Sequence, residues 1–206
     1  MSTESPSTQI PGSRGSTDMK KFERLSKKLS FLLRHHPEKW GITLTPDGWA
    51  DVDLIARRLR IRAIDIEELV RQQTKQRFEL KDGRIRALYG HTIDVEPVSR
   101  HTEPPAYLFH GTARETVETI LKDGLLPMER RRVHLSESSE EAFAVGLRRD
   151  PNPTILRVRA REASRSGILF WKSGEVWLCE RIPPGFIEIA YGETKPSGRG
   201  MEEKDE

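Results

Sequence analysis

Apolar residues recur at three- and four-residue spacing through Phe22, Leu25, Leu29 and Leu32, which predicts an amphipathic helix capped by Asp18. Asp51 is placed to cap a second helix with Leu54, Ile55 and Leu59 turned inward. Asp65 and Glu68 form a candidate capping box for a third helix, running to about Gln73. Between the first two, "TPDG" (45–48) is a turn signal flanked by the short apolar runs "ITL" and "WAD". "RFELKDGRIRAL" then alternates apolar and polar positions, the pattern of a hairpin joined across "KDG". Three helices followed by a basic hairpin is the pattern of a winged helix-turn-helix. Such folds grip nucleic acid, but they also serve as protein-interaction modules.

The texture changes near residue 95. "DVEPVSRHTEPP" (94–105) carries three prolines and reads as a linker. Beyond it come short strand-like runs, "YLFH", "RVHL", "TILRVR", "GILFW", "EVWLC" and "GFIEIA", with helical patterns at about 113–122 and 138–147. Many short strands with few helices predict an α+β or mostly β second lobe, not a doubly wound sheet. The ends are polar and without apolar period, so they read as disordered tails. The expected organisation is a tail over 1–17, a first lobe over 18–95, a linker over 96–105, a second lobe over 106–194 and a tail over 195–206.

Charge changes this picture modestly. The formal net charge is +3, but residues 1–101 carry 19 Lys and Arg against 14 Asp and Glu, and residues 102–206 carry 16 against 18. A basic first half suggests a polyanionic partner, although many soluble domains carry such an excess. Cys179 is the only cysteine; it lies in the apolar run "VWLC" and reads as a buried thiol. One cysteine excludes an internal disulfide and argues against a zinc site. No run approaches a membrane span and the first residues lack an apolar signal region, so a reducing, cytoplasmic setting is expected.

The candidate chemistry lies in cationic and polar groups. "SFLLRHHPEKWG" ends a helix with Arg34, His35 and His36. Cations at a helix C-terminus are favourable in any protein. "KQRF" holds Arg77, "RIRALYGHT" forms the far arm of the hairpin, and "FHGT" ends a strand in His110, Gly111 and Thr112. "ERRRVHLS" supplies Arg130 to Arg132, His134 and Ser136, and "ILFWKSGEVWL" brings Phe170 and Trp171. Each has an ordinary reading as surface charge, turn or core. No carboxylate pair stands out as an acid/base dyad, and the GxGxxG, Walker and HExxH fingerprints are absent. Guanidinium does not deprotonate at working pH, so recurring arginines are poor proton acceptors. They are good ligands for a phosphate dianion, which they bind in bidentate fashion.

Taken in series over about residues 22–192, "LSKKLSFLLRHHPEKWGITLTPDGWADVD", "KQRFEL", "RIRALYGHT", "YLFHGT", "GLLPMERRRVHLS" and "GILFWKSGEVWL" resemble the RNA 2′-phosphotransferase (Tpt1/KptA) family. The resemblance implies an α+β protein, with an N-terminal winged-helix lobe followed by an ADP-ribosyltransferase-like, mostly β lobe. It implies removal of an internal 2′-phosphate from RNA, typically spliced tRNA, with NAD⁺ as co-substrate and no metal. The phosphate attacks the nicotinamide ribose to give a 2′-phospho-ADP-ribosylated RNA. Transesterification then releases ADP-ribose 1″,2″-cyclic phosphate. The family's Arg-His-Arg-Arg tetrad falls on Arg34, His35, Arg77 and Arg130, with Arg131 and Arg132 as competitors for the last place. Its NAD-binding positions fall on His110, Gly111, Thr112, His134 and Ser136, with Phe170 or Trp171 as a stacking ring. Val176 stands where many ADP-ribosyltransferases carry a glutamate. Family members often read "RIRAxQGHS"; here Tyr89 replaces the glutamine and Thr92 the serine. A soluble monomer that meets RNA and NAD⁺ but no membrane is expected. The alternatives are an ADP-ribosyltransferase acting on terminal phosphates and a non-enzymatic winged-helix regulator.

Overall fold

The structure is a computed structural model that describes residues 14–96 and 101–192. The expected C-terminal tail, most of the N-terminal one and Pro97 of the linker lie outside the described residues.

Helix α1 (Arg14–Arg34) begins a turn earlier than its sequence signals suggest. Asp18 therefore lies inside the helix, not at its cap, and residues 14–17 are helical instead of forming a tail. No proline interrupts the chain between Arg14 and Arg34, so nothing stops the helix growing backwards. Leu25, Leu29, Leu32 and Leu33 bury its apolar stripe, with Phe22 packed beside them. Pro37 and a 3₁₀ turn, Glu38–Trp40, end the segment, and Gly41 turns away at φ +60°. The run at 42–44 forms no strand. Ile42 N–H donates to Pro37 O and Thr45 N–H to Trp49 O, so the backbone closes locally.

Strand β1 (Ala50–Asp51) leads into α2 (Val52–Leu59), where the Asp51 carboxylate accepts from Leu54 N–H at 2.6 Å. Helix α3 (Ala63–Gln72) starts two residues before Asp65. Asp65 sits at its third position and accepts from Arg62 N–H at 3.3 Å, so it supplies the acidic half of a cap whose first residue is Arg62. Strands β2 (Phe78–Lys81) and β3 (Arg84–Ala87) form the hairpin. Its turn is Asp82-Gly83, with φ +48° and +70°, the left-handed pair that matches the twist of adjoining strands. The sheet order is β1-β3-β2.

The second half holds two further antiparallel sheets. One orders β4 (Leu108–Thr112), β6 (Thr154–Val158) and β9 (Ile187–Tyr191); the other orders β5 (Val133–Leu135), β8 (Val176–Cys179) and β7 (Phe170–Ser173). Helix α5 (Ser139–Gly146) falls within its expected window, and α4 (Val117–Asp123) overlaps its own and runs one residue past it. Helix α6 (Ala160–Arg165) was not expected; its six residues are too few to show an apolar period. Mixed helices and small antiparallel sheets make the protein α+β.

Each half has its own buried apolar cluster. One gathers α1, α2, α3 and the hairpin; the other gathers β4 to β9 and includes Phe170, Trp177 and Cys179. Polar contacts join the halves. Ser173 Oγ donates to Leu88 O at 2.6 Å, and Arg131 N–H donates to His91 O at 3.1 Å. The turn at Gly174 (φ +62°) lies so close to Gln76 that an added Cβ would sit 2.9 Å from its carbonyl oxygen.

Candidate active site

Arg34 ends α1 under two rings. Its guanidinium carbon lies 5.1 Å from the Tyr89 ring centre and 5.8 Å from that of Phe78. Gly90 (φ +89°) lets the chain pass; a Cβ there would come within 3.3 Å of Arg34 Nη1. Nε and Nη2 are buried and have no hydrogen-bond partner. Burial lowers its pKa to about 10; the Tyr89 hydroxyl opposes this, and Arg77 and Arg130 add to it. A buried guanidinium without an acceptor is unfavourable by itself. It is a site prepared for an anion.

His35 and Arg77 flank it. His35 Nδ1 lies 3.1 Å from Thr92 Oγ1, and that hydroxyl in turn points to Arg34 O at 3.4 Å. Thr92 thus keeps the hydroxyl function of the serine it replaces. With the Thr92 proton on Arg34 O, His35 Nδ1–H donates to Thr92 and Nε2 is left as an acceptor. Burial, then Arg34, His36 and Arg130, lower the His35 pKa, so the free imidazole is neutral at pH 7. Arg77 donates from Nη1 to Ser26 on α1 at 3.3 Å. Its backbone is held by Gln73, whose Oε1 accepts from Arg77 N–H at 2.9 Å and from Phe78 N–H at 3.1 Å.

The three adjacent arginines separate cleanly. Arg131 pairs with Asp94 at 2.6 Å. Arg132 lies over Trp171, 5.1 Å from the ring centre. Arg130 is the one whose charge reaches Arg34, His35, His110 and His134. Partial burial, then Arg149 and Arg148, lower its own pKa.

In the second half two imidazoles are locked onto carbonyls. His110 Nδ1 is 3.0 Å from His134 O, and His134 Nδ1 is 2.9 Å from Arg132 O. A carbonyl only accepts, so each Nδ1 carries the proton. Burial, then Arg130, pushes His134 down to about 3, and burial lowers His110 as well. Both are neutral at pH 7, and each offers a bare Nε2. That of His134 is buried with no partner. It lies beside Tyr89, the ring centres 6.2 Å apart.

The other expected contacts are largely structural. Gly111 lets β4 touch α5: a Cβ there would lie 1.8 Å from Ala142 O. The Thr112 hydroxyl is engaged with Thr116 Oγ1 at 2.7 Å. Ser136 exchanges backbone hydrogen bonds with Phe109, tying the end of β5 to β4. Phe170 is 1% exposed in the second apolar cluster, so its ring belongs to the core and is not free to stack on a ligand. Trp171, 7% exposed, is covered by Arg132 and His101. Val176 pairs with Ser173 at the start of β8. The nearby carboxylate, Glu137, is engaged by Lys172 and by Trp177 Nε1–H at 2.8 Å.

Sequence reasoning missed several members. Tyr89 was read only as a departure, yet it bridges Arg34 and His134. Arg148 and Arg149 follow α5, and their charges bear on Arg130 and, for Arg149, on His110. Asp150 does not neutralise them, since it pairs with Arg114 at 3.1 Å. The doubled arginine in "LRRD" was the available signal. Among the described residues no group of three or more His, Cys, Asp or Glu is arranged to hold a metal. No helix there is long and apolar enough to cross a membrane.

Where the halves meet, guanidinium donors and neutral imidazole acceptors therefore come under one another's influence. The donors suit phosphate oxygens, and the acceptors suit ribose hydroxyls. The profile of the RNA 2′-phosphotransferase, Tpt1/KptA family matches residues 20–181. The chain is 43% identical over 175 residues to a probable RNA 2′-phosphotransferase of Lacticaseibacillus paracasei, covering 82% of this chain and 93% of the relative. A protein of the same description from Pyrobaculum aerophilum is 44% identical over 181 residues, 84% of each chain. A third, described as probable RNA 2′-phosphotransferase 2 of Archaeoglobus fulgidus, is 41% identical over 172 residues, 81% of this chain and 80% of the relative.

Proposed function

Because the chain belongs to the RNA 2′-phosphotransferase, Tpt1/KptA family of transferases, we propose that it removes an internal 2′-phosphate from RNA, typically at a tRNA splice junction, with NAD⁺ as co-substrate. In this reading the first half is a winged-helix lobe that meets RNA and the second is an ADP-ribosyltransferase-like lobe that meets the dinucleotide. The 2′-phosphate displaces nicotinamide to give the ADP-ribosylated RNA. The adjacent ribose hydroxyl then takes the phosphoryl group, leaving RNA with a free 2′-hydroxyl and ADP-ribose 1″,2″-cyclic phosphate.

The observation that carries this reading is Arg34. Its guanidinium is buried, has no carboxylate and is influenced by Arg77 from its own half and by Arg130 from the other. A nucleic-acid binder has no use for the third of these at that position. Arg34 and Arg77 hold the RNA phosphate, which makes its attack effectively intramolecular. Arg130 stabilises negative charge on the phosphoryl oxygens as it passes to the second acceptor. His35 is neutral in the free protein, so its Nε2 can take the proton of the attacking ribose hydroxyl; a bound dianion raises its pKa and aids that transfer. His110 and His134 accept from hydroxyls of the dinucleotide. NAD⁺ supplies an electrophilic ribose carbon with a leaving group that departs neutral, so no general acid is required and the absence of a glutamate at Val176 is tolerable.

The test is an incubation with a 2′-phosphorylated oligonucleotide and NAD⁺. RNA without its 2′-phosphate and ADP-ribose 1″,2″-cyclic phosphate are expected. Arg77→Ala loses turnover, and Arg130→Ala accumulates the ADP-ribosylated RNA. A protein that leaves the oligonucleotide unchanged, or acts equally well without NAD⁺, overturns the reading.

A further inference from the structure

We infer that a second, remote surface of the first half grips the body of the RNA substrate through its phosphodiester backbone. The inference rests on the proposed RNA substrate and extends it from one nucleotide to a longer RNA. The surface forms where the end of α2 meets the 3₁₀ turn after α1. Arg57, Arg58 and Arg60 are exposed there, with Lys28 and Lys39 on the adjoining segments. Arg58 lies along Gly41, where a Cβ would be 3.1 Å from its Nη2. Lys28 stands over the half-buried Trp40, 5.3 Å from the ring centre. Lys28, Trp40, Gly41 and Arg58 therefore form a continuous strip, and Arg60 turns out of the helix at φ +54°.

The strip gathers cations that form no ion pair with a carboxylate. Several other exposed arginines have carboxylates: Arg62 with Asp65, Arg157 with Glu188, Arg161 with Glu103. Arg57, Arg58, Arg60 and Lys28 form no ion pair with a carboxylate among the described residues, and Lys39 acts on Glu38 without a close ion pair. A helix C-terminus favours Arg57 and Arg58. It does not explain Lys28, which lies in the middle of α1. Unpaired cations gathered along one strip fit the phosphates of a nucleic-acid backbone. Six residues of α1 separate Lys28 from Arg34, about 9 Å of helix. One RNA can therefore span both places.

The experiment measures binding of the full-length protein to two RNAs over a salt series. One is an unmodified stem of about twenty base pairs without NAD⁺; the other is a tetranucleotide bearing the 2′-phosphate, followed also for turnover. The triple variant Arg57→Gln/Arg58→Gln/Arg60→Gln should bind the stem more weakly, with a plot of log affinity against log salt shallower by about 2–3. It should bind and process the tetranucleotide as the unaltered protein does. Arg57→Gln/Arg60→Gln leaves the Arg58 packing intact and should reduce the slope by about 1–2. Replacement of the three by lysine should preserve most of it. An unchanged slope for the stem overturns the inference. So does equal weakening of both RNAs, or a strip that binds anionic vesicles but not the stem. Stem binding needs no catalysis, so failure of the proposed reaction leaves a distinct result.

Discussion

Arg34 and His134 both lie against Tyr89, the guanidinium carbon 5.1 Å and the imidazole centre 6.2 Å from the centre of its ring. They represent two ways to prepare a buried polar group for a ligand. The first half keeps its charge: Arg34 stays cationic even at a pKa of about 10, supported by ring faces instead of by a carboxylate. The second half gives its charge up. His134, at about 3, is fixed as a neutral tautomer by one carbonyl and offers a lone pair. Burial, then the charge of Arg130 and more weakly of Arg34, makes protonation of His134 unfavourable, so the cations of the donor side help keep the acceptor side neutral.

Replacing Arg34 by lysine tests the contrast most severely. It keeps one charge but removes the planar fork, and about a 10²–10³-fold loss of kcat/KM for the phosphorylated oligonucleotide is expected. A loss below about threefold would mean that net charge alone suffices. His134→Phe comes next. The ring remains but the acceptor goes, so KM for NAD⁺ should rise about tenfold, with KM for RNA changed by less than about twofold. An effect on RNA alone would reverse the division between the halves. Tyr89 separates ring from hydroxyl. Tyr89→Leu should lower kcat/KM by about 3–30-fold, the range of a desolvated cation–ring contact, and Tyr89→Phe should stay near the parent. Equal losses in both would assign the effect to the hydroxyl.

The smallest effect is on acid stability. His91 and His134 are pushed to about 4 and about 3 in the folded protein, against an ordinary value of 6.5. The unfolded chain therefore binds more protons than the native one across that interval. Stability rises with pH from about 3 to 6.5 and is lost as pH falls through it. Urea midpoints at pH 7 and pH 5 should differ less in His91→Gln than in the parent; an equal difference would remove His91 from the account.

What the sequence made legible is mostly local. Alternation located the hairpin, and Asp51 located the start of α2, because period and capping act within a few residues. Asp18 and Asp65 misled for a related reason: the same side chain serves at a cap or inside the first turn, and sequence does not tell which. Residue type and the family resemblance singled out Arg34, His35, Arg77 and Arg130, but not their arrangement. Gln73 clamping Arg77, the Phe78–Arg34–Tyr89 stack and the free ends of Arg148 and Arg149 arise from contacts between distant segments. Phe170 shows the opposite failure. An aromatic next to a charged turn resembles a ligand platform, yet the pairing of β7 with β8 carries it into the core.

The lone thiol offers a practical corollary. Cys179 is fully buried within the second cluster and raised to about 12, so the native fold carries almost no thiolate at neutral pH. Maleimide labelling of the intact molecule would report excursions that open this cluster. A cysteine introduced on the outer surface could take a fluorophore with little background from the parent chain.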